Sequence, residues 1–190
     1  EFHIIHEDPD DITKKRDNDV AIYFEDSEGT FWVGGTDGLY TMDKSTEEFT
    51  KKIPISTFDI YEDNNHRLWI ATGSGLFTYD LQTKEFSNSL RNDNNQNSIV
   101  NDHLNKIFID RAGNIWLGSI SGISIFRPSK NKFKHYYHIA ENPNTPASNH
   151  ITAILQDNQN RIWLGSANKG VDFFDEHLNK LGDYKSANNN

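Results

Sequence analysis

The stretch Asp110-Arg-Ala-Gly-Asn-Ile-Trp-Leu-Gly-Ser-Ile-Ser-Gly122 places a tryptophan inside an apolar run, six residues after an aspartate and six before a glycine. The same phrase occurs four times in the 190 residues, aligned on Trp32, Trp69, Trp116 and Trp163, which are all the tryptophans of the chain and lie 37, 47 and 47 residues apart. Six residues before each stands Asp26, Asp63, Asp110 or Asp157, and six or seven after stands Gly38, Gly75, Gly122 or Gly170. Aromatic and large apolar positions follow in register: Met42, Tyr79, Phe126 and Phe174, then Phe49, Phe86, Phe133 and Leu181. Self-similarity at such a period is the signature of a solenoid or a propeller.

The local chemistry selects strands. Each aspartate follows a run rich in β-branched and aromatic residues, such as Val20-Ala-Ile-Tyr-Phe24 and Leu104-Asn-Lys-Ile-Phe-Ile109, which suits a pleated sheet. The aspartate opens a tight turn by accepting backbone N–H groups of the residues that follow. Gly29, His66, Gly113 and Asn160 take the turn's fourth position, where a left-handed residue closes a type I hairpin turn at least cost. The next strands, Phe31-Trp-Val33, Leu68-Trp-Ile70, Ile115-Trp-Leu117 and Ile162-Trp-Leu164, do not alternate apolar with polar residues, so both faces must be buried. Sheets stacked radially cover both faces of every inner strand, and a two-layer sandwich does not. The fold class expected is therefore all-β: consecutive four-stranded antiparallel propeller blades over about residues 19–50, 56–90, 102–137 and 149–185, forming one segment, with 1–6 as the outermost strand of a preceding or closing blade.

The pattern Asp-x-x-Gly-x-Ile/Leu-Trp-Ile/Leu-Gly-Ser/Thr, followed by Gly-Leu/Ile and an aromatic, resembles the two-component regulator propeller repeat of hybrid two-component sensors, notably of gut Bacteroidetes. Asp110 to Phe126 matches it best. The chain departs from it at His66 and Asn160 in place of the turn glycine, at Gly34-Gly35 and Ala71 after the tryptophan, and by an extra residue before Gly170. The resemblance implies a periplasmic sensor region of an inner-membrane protein. Such a region responds to oligosaccharides from complex glycans and signals to a histidine kinase and DNA-binding output, none of which lies in this chain. It also implies larger closed rings, so four repeats read as an arc of such a ring or as a small propeller.

Net charge and composition narrow the alternatives. With 28 acidic against 19 basic residues, a net charge of −9 and no basic cluster, a nucleic-acid partner is not expected. No apolar run is long enough to span a bilayer and no leader pattern opens the sequence, so membrane attachment is expected only through a parent protein. The chain begins Glu1-Phe2-His3 without a methionine and reads as a piece of a longer protein. The absence of cysteine removes disulfides, thiolate metal sites and cysteine nucleophiles together. Phe2–Ile5 resembles Phe133–Tyr136 and is expected to be an outermost strand; open blade edges would favour self-association.

The conspicuous residues have bland readings. The four tryptophans fit inter-blade packing better than sugar stacking, and turn capping accounts for all four aspartates better than a catalytic or calcium-binding cluster. The stretch Asp26 to Trp32 resembles the Asp-box of sialidases, but its aspartate-to-tryptophan spacing is one residue longer. His3-x-x-His6 and His135-x-x-His138 would point to opposite faces of a strand and so are poor chelators; no metal or cofactor is expected. No nucleophile elbow, phosphate loop or kinase signature is present.

The long polar connections at 7–18, 87–102 and 139–149 should share one rim, where binding residues of rigid scaffolds concentrate. His103 and His150 stand seven residues before their turn aspartates; they either cap strand entry or meet near the channel mouth, with Asn101, Asp102, Asn149 and Asp19 beside them as candidate ligand-binding residues. Tyr136 and Tyr137 could add stacking, although the first fits outer-strand packing equally well. The function read from these features is ligand sensing by an extracytoplasmic domain of a hybrid two-component regulator. A non-sensing interaction scaffold and a propeller lyase or glycosidase are the alternatives.

Overall fold

The computed structural model describes residues 20–130 and 132–185. They form 16 strands in four antiparallel four-stranded sheets. The first blade comprises β1 (Val20–Glu25), β2 (Phe31–Gly35), β3 (Gly38–Met42) and β4 (Phe49–Ile53). The second comprises β5 (Thr57–Glu62), β6 (Arg67–Thr72), β7 (Gly75–Asp80) and β8 (Phe86–Ser89). The third holds β9 (Leu104–Ile109), β10 (Ile115–Ser119), β11 (Gly122–Arg127) and β12 (Lys132–Tyr136), and the fourth β13 (Ile151–Gln156), β14 (Ile162–Ser166), β15 (Gly170–Phe174) and β16 (Lys180–Tyr184). Among the described residues the one helical piece is the 3-10 turn Pro128–Lys130.

Each sheet is a simple meander in chain order, and the inner strands β1, β5, β9 and β13 pack side by side in succession. The radial arrangement expected from the doubly apolar β2-type strands is thus present. The Asp-led hairpin turns lie on one rim. The glycine turns and the long connections lie on the other, as the meander requires.

The repeated aspartate does more than cap its turn. Its Oδ1 accepts backbone N–H groups two and four residues on, for Asp26 those of Glu28 at 3.0 Å and Thr30 at 2.8 Å. Its Oδ2 accepts the indole Nε1–H of the tryptophan six residues later, at 2.8 Å in all four repeats. The fixed spacing is therefore a stereochemical constraint: the carboxylate ties the turn to the ring that fills the inter-blade space. The turn geometry is as expected, with positive φ at Gly29, His66, Gly113 and Asn160.

Three apolar clusters fill the three junctions between blades. Trp32 and Leu39 meet Ile60, Leu68 and Ile70; Trp69 and Leu76 meet Leu104, Ile107 and Leu117; Trp116 and Ile123 meet Ile151, Ile154 and Leu164. Burying side chains of this size contributes about 1.5–3 kcal/mol each. In the first three blades the small residue two positions after the tryptophan lets the next inner strand approach, while Gly165 of the fourth meets Ala153 of its own blade. A Cβ at Gly34 would stand 2.8 Å from Thr57 of the second blade, and one at Gly118 would stand 3.1 Å from Ile151 of the fourth. Ala71 is completely buried at the same place in the second blade.

The arc leaves a face uncovered at each end among the described residues. Among the described residues no comparable packing joins the fourth blade to the first. The tryptophans of the first three blades are 2%, 6% and 4% exposed, whereas Trp163 is half-buried, stacked on Phe173 at 4.7 Å and on Tyr184 at 6.0 Å. Leu155, directly opposite Trp163, is 58% exposed, and Tyr23 on the first blade is 71% exposed. The strand expected over 1–6 lies outside the described residues.

Candidate functional site

The two long connections on the loop rim share one skeleton, so that 91–103 repeats as 138–150. Ser98 Oγ accepts Asn92 N–H at 2.9 Å, and Thr145 Oγ1 accepts Ile139 N–H at 3.1 Å. Val100 N–H donates to Ser124 Oγ, and Ala147 N–H donates to Asp172 Oδ2. Lys180 Nζ approaches the other oxygen of the buried Asp172 at 2.6 Å, as an ion pair rather than an aligned hydrogen bond. Each loop thus crosses the blade it leads into, anchored by backbone N–H groups on side-chain oxygens of that blade.

These anchors assign positions to the residues expected on this rim. Asp102 Oδ1 accepts Arg91 N–H at 2.6 Å and its carbonyl accepts Gly75 N–H at 2.7 Å; Asn149 repeats both contacts with His138 and Gly122. Asn101 Oδ1 accepts the N–H of His103, while its amide donates to Ser121 Oγ. All three amide or carboxyl groups hold the loops closed. His103 is half-buried against Phe58 of the preceding blade, with ring centres 5.2 Å apart, and His150 is exposed. No hydrogen bond joins the two rings among the described residues. Asp19 lies outside the described residues.

A cleft of about 370 Å³ opens beside the first loop. It is lined by Arg91, Asn92, Gln96, His135, Tyr137 and Asn149, among others, and a smaller one of about 290 Å³ sits under the second loop. Arg91 pairs with Asp93 at 2.7 Å, and His135 Nε2 lies 2.7 Å from the carbonyl of Ser98. Of the two tyrosines, Tyr136 is structural: its hydroxyl donates to the carbonyls of Asn144 and Leu178 and its ring packs on Phe174. Burial, followed by the nearby Asp172 and Asp175 carboxylates, raises its pKa above the ordinary phenol value. Tyr137 is 47% exposed at the cleft. Arg91 and Gln96 carry no spacing signal and were not singled out by sequence.

On the opposite rim Ser27, Glu62 and His66 form a serine–carboxylate–histidine cluster. Ser27 Oγ lies 2.5 Å from Glu62 Oε1 and 3.0 Å from His66 Nδ1, and Glu62 Oε1 lies 3.2 Å from that same nitrogen. A relay needs the hydroxyl on one ring nitrogen and the carboxylate on the other. Here both crowd Nδ1, so the cluster ties the first blade to the second and activates no nucleophile. His135 and His138 each face a loop carbonyl, and no group of metal-ligating side chains occurs among the described residues.

The geometry defines an open arc of β-propeller blades whose loop rim carries clefts and no catalytic constellation among the described residues. Residues 53–74 and 145–168 match the family model of the two-component regulator propeller, so the chain is similar to that family over those two stretches. No curated protein matches it in sequence. Among solved structures it is similar to the extracellular domain of the hybrid two-component system BT4673 of B. thetaiotaomicron, with 19% identity and a TM-score of 0.68 over 88% of this chain. It is also similar to that of BT3049 of the same organism, with 25% identity and a TM-score of 0.53 over 97% of this chain. The chain spans about a quarter of those structures, 24% and 23% of their length. A gluconolactonase of Xanthomonas campestris shares the fold at 12% identity and a TM-score of 0.57, over 87% of this chain and 61% of its own.

Proposed function

We propose that this chain is part of the extracytoplasmic sensor region of a hybrid two-component regulator, and that it contributes to recognition of glycan-derived oligosaccharides. The observation that carries the sensing role is the propeller repeat, with its regulator-type signature at 53–74 and 145–168, in a chain similar to extracellular domains of hybrid two-component systems. The loop-rim cleft supports the ligand class. Amide groups of Asn92 and Gln96, the Arg91 guanidinium and the exposed Tyr137 ring face one concavity. Ligand sites combine such placed polar groups with an aromatic wall. With a net charge of −9, a neutral saccharide is the better match than an anionic one. Periplasmic location and signalling through a change in the spacing of two sensors belong to the same reading.

The serine–histidine–glutamate geometry argues against hydrolysis, and the lactonase likeness is one of fold. The test is calorimetric titration of the chain with a panel of plant and host oligosaccharides, alongside Tyr137→Ala and Gln96→Ala. Saturable binding weakened about tenfold or more by these substitutions is expected, on the scale of a lost stacking or hydrogen-bonding contact. Turnover of any panel member would move the chain to the enzymes, and capture of protein partners without saccharide binding would make it a scaffold.

A further inference from the structure

We propose a second site on the turn rim, between the second and third blades, that takes an N-acetylated saccharide by its amide carbonyl oxygen; this rests on the glycan-recognition reading above. A cavity of about 590 Å³ opens there, within the roughly 300–1,000 Å³ of small-ligand sites.

A break in the repeat carries the inference. At the first junction, the N–H of Ser27, just after the turn aspartate, donates to Glu62 Oε2 at 2.7 Å. Glu62 stands one residue before the turn aspartate of the next blade. At the third junction Arg111 N–H donates in the same way to Gln156 Oε1 at 2.9 Å. The corresponding pair at the second junction is Asn64 and Ile109, and isoleucine offers no acceptor. Among the described residues, Asn64 N–H has no partner, and no hydrogen bond or ion pair crosses the second junction at this rim. The first junction has the Lys84–Glu28 ion pair in addition, and the third has Arg111 Nη1 on the carbonyl of Asp157 and on Asn160 Oδ1. The cavity lies where those links are missing, and both Asn64 and Ile109 line it.

The donor geometry names the group that would complete the site. At the sister junctions the acceptor is the sp² oxygen of a carboxylate or carboxamide. The walls here carry Glu62, Asp63 and Asp110, while the Arg111 guanidinium is engaged with the fourth blade. A carboxylate is therefore repelled, and a neutral amide oxygen fits. Ile109 and Pro128 provide apolar wall for the acetyl methyl, and Tyr61, 38% exposed, presents a ring to a sugar face.

Asn64 occupies the first central position of a type I turn, where proline is favoured. Asn64→Pro removes the donor while leaving the turn intact. The experiment is calorimetric titration of the chain with di-N-acetylchitobiose and with cellobiose, which lacks the acetamido groups, on the wild type, Asn64→Pro, Ile109→Gln and Tyr61→Ala. The first is expected to saturate the protein and the second to bind at least about tenfold more weakly. Asn64→Pro and Ile109→Gln, the latter restoring the sister-junction oxygen, are each expected to lower affinity for di-N-acetylchitobiose by a similar factor. Asn64→Pro is expected to leave the melting temperature unchanged, and in the wild type the Asn64 amide resonance should shift on titration. Equal binding of the two sugars, undiminished binding by Asn64→Pro, or equal binding of N-acetylglutamine amide would overturn the proposal. Should other oligosaccharides bind while di-N-acetylchitobiose does not, this site falls and the sensing reading stands. If no saccharide binds, both fall.

Discussion

Asp26→Asn isolates the bond between turn and core. Asp26 is 4% exposed and Trp32 is 2% exposed, and the 2.8 Å bond between Oδ2 and the indole Nε1–H is shielded from water. Asparagine is isosteric. If its oxygen keeps the Glu28 and Thr30 N–H groups, its NH₂ faces the indole donor, and a buried N–H is left without an acceptor. A hydrogen bond to a charged group contributes about 1.5–3 kcal/mol, and a buried unsatisfied donor costs about 1–3 kcal/mol. These describe largely the same loss, so the expected cost is about 1.5–3 kcal/mol, or about 3–12 °C in melting temperature for a chain of this size. Asp43→Asn is the control. Asp43 caps an exposed turn through Ser45 and Thr46 alone, and its substitution is expected to cost under about 1 kcal/mol. Urea unfolding followed by circular dichroism measures both. In a Trp32→Phe background, which removes the indole donor, the Asp26→Asn penalty should shrink by about 1–2 kcal/mol. If Asp26→Asn costs no more than Asp43→Asn, or its penalty is the same with and without the indole, the repeat spacing is not set by this bond.

The apolar faces left uncovered among the described residues predict concentration-dependent association of the isolated chain: Leu155→Glu on one end and Tyr23→Glu on the other should each block extension, and a mixture of the two should stop at dimers by light scattering. A monomer at all concentrations would refute this. Acid should destabilise the chain. Although burial pushes the Asp157 carboxyl up, hydrogen bonds from Trp163 and Arg161 outweigh it and hold the pKa well below the ordinary 3.8. Asp80 is lowered by the backbone N–H groups of Thr83 and Gln82, and Asp175 by the side chain and backbone of Asn179. Groups depressed in the folded state contribute stability that is complete above the ordinary carboxylate value and drains away as pH falls from there through the folded-state value, so urea midpoints should be flat near neutrality and drop below about pH 4. Gly34→Ala would set a methyl 2.8 Å from Ile22 and Thr57 and is expected to cost about 1–3 kcal/mol by calorimetry, whereas Ala71→Gly at the sister position should cost only about 1.

Much of the fold was legible because its information is local. The tryptophan register, the strand runs and the turn residues at Gly29, His66, Gly113 and Asn160 need only a few consecutive positions to be read, and backbone sterics and turn chemistry act over that range. The small residue after each tryptophan was visible as a pattern, but its purpose in the first three blades, clearance for the next inner strand, belongs to the packed arc.

The sites were less legible. His103 and His150 stood out by chemistry and register, yet one packs on Phe58 and the other faces solvent, while Asp102 and Asn149 turned out to clamp loops. Asn64 and Ile109 looked unremarkable until the packed blades put them where Ser27 meets Glu62 and Arg111 meets Gln156. Sequence by itself therefore determined the repeat, its strands and its turns, since hydrogen bonding within a hairpin involves neighbours along the chain. Only the tertiary structure decided which side chains anchor, which face solvent and where a link is missing, because those contacts join residues 35 to 48 positions apart and exist only once the blades stack.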